Sequence, residues 1–378
     1  MRIGIELKHI DPQRGGAEAY TCQLAAWLVE SGHEVHLFVY NVVAGLEGAV
    51  VHTVTPFSAA GIRRLSESVD IEFFIGTDRS TAMDLFHPHR GTIRGNLDRE
   101  IARSGSRVVR GLARIASGVN PRYQRALILE RRQIGNRTRG PLVVAVSEMI
   151  ANEIRRNYSI PADRLRVIYN GVDCHRFTPE HCRERRQEER ARLRIGEDEV
   201  CFLLVGNDFR RKGVAHFIRA TALALKQEPS IRAVVVGRQD PQPYERLAAE
   251  VGCGECVSVV PQMADVRAAY AAADVFVLPT WYDPCSLTVL EAWACGLPVI
   301  TTQFNGAAEL MQDGKEGYII GEPRDVNTLA ERMLQLTRRD LRLSMGALGR
   351  SLAERHPLEK TFRQLLQIAL EAVGQMQS

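Results

Sequence analysis

Two successive series of short apolar strands alternating with helical segments predict an α/β chain with two doubly wound parallel sheets, hence two Rossmann-like domains. Its 378 residues exceed one ordinary hydrophobic core and suit two. The stretch from Asn170 to Pro179 falls between the two series and reads as the linker.

In the first series, Arg2–Leu7 is a strand, and Gly15–Ser31 a loop and helix with Ala19, Leu24, Trp27 and Leu28 near helical spacing. Glu34–Tyr40 is the second strand, and Phe73–Ile75 and Asp84–Phe86 are short ones. Leu142–Val146 is buried, and Ser147 is the N-cap of a helix over Glu148–Tyr158. Arg166–Tyr169 reads as an edge strand and Asn170-Gly171 as a turn. The charged run Arg183–Arg194 reads as a solvated helix opening the second domain. Strands then fall at Glu199–Val205, Arg232–Gly237, Val257–Pro261, Val275–Pro279 and Pro298–Ile300. Helices are expected over Lys212–Lys226, Tyr244–Val251, Val266–Ala272 and Leu358–Met376.

With 45% hydrophobic and 25% charged residues, the composition is that of a soluble globular enzyme. No apolar run is long enough for a transmembrane helix. Met1–Leu7 turns polar too soon for a signal peptide, so secretion is not expected. The eight cysteines, in a chain this long, fit reduced cytosolic thiols better than a disulfide framework. Cys253 and Cys256 have zinc-like spacing but no second ligand pair nearby, so a chance surface pair is the preferred reading.

Charge is unevenly spread. Arg90–Arg139 holds thirteen arginines, no lysine and three acids (Asp98, Glu100 and Glu130), a local charge of +10 in a chain of net +4. Arginine suits bidentate phosphate recognition. Within Val108–Ala116, apolar and basic positions can segregate onto opposite faces of a helix. An anionic membrane surface or phosphorylated glycolipid is the expected partner, with Arg103, Arg107, Arg110 and Arg114 as its contacts. The alternatives are a solvated helix face or another anion; nucleic acid is not expected.

The segment Asp283–Gly296, DPCSLTVLEAWACG followed by LPVI, carries the most chemistry. Two acids, Asp283 and Glu291, flank a loop of small and polar residues and the start of a helix. Free backbone N–H groups at such a start favour a diphosphate, with Ser286, Leu287 and Thr288 in the first turn. Glu291, two turns into that helix, can accept hydrogen bonds from ribose hydroxyls. A plain strand-to-helix turn with two solvated acids is the bland alternative.

The segment resembles the acid-seven-acid motif of the family 4 retaining glycosyltransferases, with Asp283 in place of the usual Glu and Cys285-Ser286 in place of Phe-Gly. Glu291-Ala292 and Gly296-Leu297-Pro298 match. An Asp reaches one methylene less far toward the donor sugar. Arg14-Gly15-Gly16-Ala17-Glu18 resembles the family's Gly-Gly-x-Glu loop, which faces the donor phosphates and the acceptor. Arg211-Lys212-Gly213 resembles the version found in lipopolysaccharide core glucosyltransferases, where the cations neutralise the leaving diphosphate. Asn207 stands where the family usually has Arg. Phe86-His87-Pro88-His89-Arg90-Gly91 lies where the family often has a His near the transferred sugar. His89 is preferred for that role, with His87 as a second candidate sugar contact; a core histidine is the alternative. Thr302–Glu309 resembles the loop that follows the motif helix.

The resemblance runs over roughly residues 1 to 320 and implies the GT-B fold. It implies an N-terminal acceptor domain of residues 1–172 and a C-terminal donor domain of 173–357, with helix 358–378 crossing back to the first. The implied reaction is hexose transfer with retention, UDP-glucose being the expected donor and a cell-surface glycan or glycolipid such as lipopolysaccharide core the acceptor. His89, Asp283 and Lys212 are the expected catalytic residues. Gly15, Gly16, Arg211, Lys212, Ser286, Leu287, Thr288 and Glu291 are the expected donor contacts. The acceptor hydroxyl attacks on the leaving-group face and the departing phosphate takes its proton. No Asp-x-Asp motif is present, so no metal or other cofactor is implied. The expected location is the cytoplasm, peripheral to the inner face of the membrane. An epimerase or phosphorylase of the same fold is the rival enzyme reading. No lysine has an evident pyridoxal context, which disfavours the phosphorylase. A decayed sugar-nucleotide-binding module is the third reading, disfavoured by Lys212 and Glu291.

Overall fold

The computed structural model describes residues 1–11, 15–42, 45–55, 58–78, 83–135 and 140–377. The chain divides into two compact units, Met1–Tyr169 with Lys360–Ser378, and Asn170–Glu359.

The first unit holds strands β1 (Arg2–Ile10), β2 (Glu34–Val42), β3 (Ala49–Thr53), β4 (Phe73–Gly76), β5 (Leu85–Phe86), β6 (Leu142–Ala145) and β7 (Leu165–Val167). They form a seven-stranded sheet in the order β3-β2-β1-β4-β5-β6-β7. All its pairings are parallel. The edge strand β3 has no counterpart in the sequence reading: its short run Ala49-Val50-Val51 is followed at once by His52 and Thr53, and none of its residues is fully buried. β1 and β4 are buried almost end to end, as central parallel strands covered on both faces must be. Ser147 caps the helix Glu148–Asn157 as expected, its Oγ accepting from Ile150 N at 3.3 Å. The last helix, Leu358–Gln377, joins this unit by packing Phe362 against Tyr20 and Trp27, with ring centroids 5.2 and 5.8 Å apart.

The second unit holds β8 (Val200–Val205), β9 (Ile231–Gly237), β10 (Val257–Pro261), β11 (Val275–Leu278), β12 (Val299–Thr302) and β13 (Gly317–Ile320). Their order is β10-β9-β8-β11-β12-β13, again parallel. In each sheet the order reverses beside the first strand, between β1 and β4 and between β8 and β11. Ligands of open α/β sheets bind outside the carboxyl ends of the strands at such a reversal.

Two expectations are corrected. The helix expected over Lys212–Lys226 is broken into Phe209–Lys212 and Val214–Ala224. Gly213 separates them at φ 79°, and a Cβ there would lie 2.0 Å from the Pro279 carbonyl oxygen. Close approach to the β11 loop decides the break, and only glycine permits it. The run Arg183–Arg194 is not a freely solvated helix. All but its last two residues lie in the helix Pro179–Arg192, whose Arg186 and Arg190 reach Asp274 at 2.7 and 3.0 Å, just before β11. Arg190 is buried there, because one carboxylate and neighbouring carbonyls satisfy its fork of donors.

Candidate active site

In the second unit, the loop after β8 and the loop after β11 meet at the strand-order reversal. Asp208 Oδ1 caps the one-turn helix Phe209–Lys212 by accepting from Arg211 N at 3.0 Å. The Arg211 guanidinium donates to the Tyr282 carbonyl at 3.0 Å and lies 3.3 Å from Asp208 Oδ2. The Arg211 carbonyl in turn accepts from Trp281 N at 2.9 Å and Thr280 Oγ1 at 3.1 Å. Lys212 Nζ donates to Asp283 Oδ2, and both residues are buried. Burial pulls the Lys212 pKa below its usual value, with Asp283 opposing that shift and Arg211 adding to it.

The Asp283 backbone is pinned to the next loop: its N–H donates to Phe304 O at 2.9 Å, and its carbonyl accepts from Gly306 N at 2.8 Å. Asn305 Oδ1 accepts from Ser286 N at 3.2 Å and Ala307 N at 3.1 Å. The motif helix runs over Leu287–Ala294. Its N-cap Ser286 makes no side-chain cap, and its Oγ pairs instead with Thr288 Oγ1 at 3.0 Å. The first turn of a helix has N–H groups without intrahelical partners, and here no capping side chain covers them. Arg211 and Lys212 are tied to the two residues Tyr282 and Asp283 that lead into this turn. The arrangement concentrates positive potential where a diphosphate can sit.

Glu291 lies about one turn from the helix start rather than two. Its Oε2 accepts from Tyr270 OH at 2.7 Å. Burial raises the Glu291 pKa, and the Tyr270 hydrogen bond opposes the rise. Tyr270 itself is raised well above its usual value by burial and by the Glu291 charge. The sequence offers no signal for Tyr270 or Thr280 in these roles, and for Asn305 only its place in the Thr302–Glu309 loop. Each is fixed by a partner distant in the chain.

The other expected residues lie in the first unit. Gly15 and Gly16 lead into the helix Gly16–Glu30, Gly15 being extended. Arg14 of the same motif lies outside the described residues. Glu18 of this helix is buried and pairs with Arg90 at 2.5 Å. His89 is partly buried and packs on Tyr20 and His87, with ring centroids 4.3 and 4.1 Å away. His87 is wholly buried. Its Nδ1 lies 2.9 Å from the Val144 carbonyl, so Nδ1 carries the proton and donates. Its Nε2 has no partner among the described residues. Burial holds the His87 pKa down to about 4 and that of His89 well below the ordinary value.

The basic segment forms three helices, Ile93–Ala102, Arg107–Val119 and Pro121–Ile134. Arg137 and Arg139 lie outside the described residues. Ser106 caps the middle helix, which buries no residue at all. Val108, Leu112, Ile115 and Val119, at i, i+4, i+7 and i+11, form one apolar stripe and are 61–75% exposed. Arg107, Arg110 and Arg114 fall on the other face. Arg107 and Arg114 are exposed, while Arg110 donates to the Ser104 carbonyl at 3.3 Å. Arg103 is less available than the sequence suggests: its side chain is 17% exposed and lies 3.6 Å from Glu100.

Among the described residues no group of three or more His, Cys, Asp or Glu is placed to hold a metal ion, and no helix is long and apolar enough to cross a membrane.

Residues 14–176 match the family model described as Glycosyltransferase Family 4, and residues 185–351 that of glycosyl transferases group 1. The chain is 27% identical over 364 residues to D-inositol 3-phosphate glycosyltransferase 2 of Catenulispora acidiphila, covering 86% of this chain and 83% of that one. It is 29% identical over 239 residues to the lipopolysaccharide glucosyltransferase WaaG of Escherichia coli K12, covering 63% of this chain and 64% of WaaG. A crystal structure of WaaG, a glycosyltransferase involved in lipopolysaccharide biosynthesis, superposes with a TM-score of 0.83 at 22% identity over 97% of this chain and 99% of that one. Anabaena HepE in complex with UDP-glucose superposes with a TM-score of 0.70 at 16% identity, over 97% and 98% of the two chains. The two family models together span both units, and the chain is a glycosyltransferase of the family 4, group 1 type with the GT-B fold.

Proposed function

We propose that this glycosyltransferase moves a hexose, glucose from UDP-glucose, onto a glycolipid acceptor of the lipopolysaccharide-core kind, with retention of anomeric configuration. One observation carries the reading: Arg211 and Lys212 are fastened to the residues that open the motif helix, at the strand-order reversal of the second unit. A diphosphate seated there meets two cations and an uncapped helix start, which stabilise the leaving group as its charge develops. Glu291 takes the ribose hydroxyls, its carboxylate oriented by Tyr270. Asp283 orients Lys212 and reaches the sugar. Gly15 and Gly16 admit the phosphates closely. His89, less buried than His87, is the candidate contact to the transferred sugar, and His87 supports it from behind. The WaaG and HepE resemblances support glucose and UDP as the donor parts.

The acceptor hydroxyl attacks on the face from which the diphosphate departs, and the leaving phosphate oxygen accepts its proton. The chain's own part is positioning and charge stabilisation. The exposed apolar stripe and the arginines behind it support docking of the helix Arg107–Val119 on an anionic membrane, at the cytoplasmic face where a lipid-linked acceptor is presented. The test is incubation with labelled UDP-glucose and a membrane extract, followed by nuclear magnetic resonance of the product. Transfer with an α linkage from the α donor supports the reading. Release of free glucose and UDP without transfer, or a β product, overturns it.

A further inference from the structure

The peptide group between Cys285 and Ser286, just before the motif helix, is held at both ends by buried asparagines. Its carbonyl accepts from Asn170 Nδ2 at 2.8 Å, and its N–H donates to Asn305 Oδ1 at 3.2 Å. Asn170 and Asn305 are 3% and 0% exposed. Neither amide can be reversed. Asn305 Nδ2 is committed to Thr301 Oγ1 at 3.0 Å. Turning Asn170 over would set its oxygen against the Cys285 carbonyl, acceptor to acceptor. A flipped Cys285–Ser286 peptide would meet the wrong atom at both asparagines, so one orientation of this peptide is selected.

Asn170 is also the first residue of the second unit, where the chain crosses from the first. The return crossing runs beside it. Val172 N donates to His356 O and Leu358 N to Val172 O, both at 3.0 Å, and Val172 bridges Pro357 in parallel. A Cβ on Gly171 would lie 2.7 Å from Leu358 Cα, so the two crossings are in contact there. The backbone that presents Asn170 is thereby fixed.

We propose that Asn170 is a positioning residue for the donor diphosphate, acting through the Cys285–Ser286 peptide to set the first turn of the motif helix. This rests on the reading of that turn as the diphosphate seat. With the peptide locked, the N–H groups that follow it keep their direction; without the Asn170 amide, the peptide can rotate and bring a carbonyl toward the phosphates. Asn170 touches neither sugar nor phosphate in this scheme.

The test compares affinities for UDP and uridine, by calorimetry on the full chain, in wild type and in Asn170→Ala, Asn170→Asp and Lys212→Ala. Binding of uridine reports that each variant is folded around its nucleoside site. Both Asn170 variants are expected to weaken UDP binding about tenfold, the scale of one buried hydrogen bond, and to leave uridine binding unchanged. Asn170→Ala combined with Asn305→Ala should weaken UDP binding by less than the product of the two single effects, since both act on one peptide. If Lys212→Ala weakens UDP binding but neither Asn170 variant does, the seat stands and the positioning role is overturned. Equal losses of UDP and uridine in the Asn170 variants overturn it too, as a general structural effect. If Lys212→Ala also binds UDP like wild type, the diphosphate seat itself fails and the role of Asn170 with it.

Discussion

The ammonium of Lys212 is buried against the carboxylate of Asp283, joining the first loop of the second sheet to the motif loop across 71 residues of sequence. Buried ion pairs add little net stability compared with well-packed apolar residues, but breaking one is costly. The pair is therefore better understood through the chemistry of the site. Asp283→Ala, which strands the lysine, should destabilise the chain by about 3–5 kcal/mol, read from urea unfolding. Lys212→Met with Asp283→Leu should recover most of that stability and still fail to transfer sugar. Wild-type transfer by the double variant would remove the pair from the mechanism.

Glu291 should bind the donor ribose. Glu291→Ala is expected to weaken nucleotide-sugar binding by about 1.5–3 kcal/mol, the range for hydrogen bonds to a charged group. Tyr270→Phe should have a smaller effect in the same direction, because Tyr270 orients the carboxylate without touching the ligand in this reading. Calorimetry showing undiminished donor affinity for Glu291→Ala would falsify the assignment.

Arg211 and Lys212 should act on the diphosphate alone. Replacing both with Ala should lower turnover and weaken nucleoside diphosphate binding while nucleoside binding persists. Parallel losses of both affinities would count against phosphate recognition.

The helix Arg107–Val119 should carry the protein to anionic vesicles. Co-sedimentation is expected at low salt and release at high salt, because ionic screening shortens the reach of the arginines. Neutral vesicles should leave the protein in solution. Changing Arg103, Arg107, Arg110 and Arg114 to Gln should abolish pelleting with donor binding intact. Arg103 should contribute least, given its contact with Glu100. Leu112→Ser with Ile115→Ser should also reduce pelleting, because the apolar stripe inserts. A wild type that ignores anionic vesicles at low salt would refute the docking surface.

His87 makes stability depend on pH with a definite sign. Its folded pKa, about 4, lies below its ordinary value of 6.5, because burial disfavours the charged ring. Between those values the unfolded chain binds the extra proton, so this contribution is complete above pH 6.5 and is lost as pH falls toward 4. The full span is on the order of 3 kcal/mol. His87→Gln can keep a donor toward Val144 O and should unfold with a flatter pH profile across that window. Identical profiles for the two proteins would show that His87 does not supply the dependence.

Local pattern determined the alternation of strand and helix, the Ser147 cap and the motif loops, because each signal is contained in a short stretch of chain. Apolar runs name buried parallel strands, and a small polar loop before an apolar helix names its start. Together with the family resemblance, these signals single out Arg211, Lys212, Asp283 and Glu291 as candidates without coordinates. Tertiary structure decided what those residues touch. Glu291 finds Tyr270 of the preceding helix, 21 residues away, and Cys285 finds Asn170, 115 residues away where the chain enters the second unit; neither partner lies in the stretch that signals the motif. The break at Gly213 is set by the Pro279 carbonyl, which no helical periodicity records. Arg190 reads as solvent-facing within a charged run, yet is buried because Asp274 waits at the start of β11. The segregation of apolar and basic positions in Arg107–Val119 was legible from spacing. That its apolar face stays uncovered was not, since covering it depends on which neighbours the fold supplies.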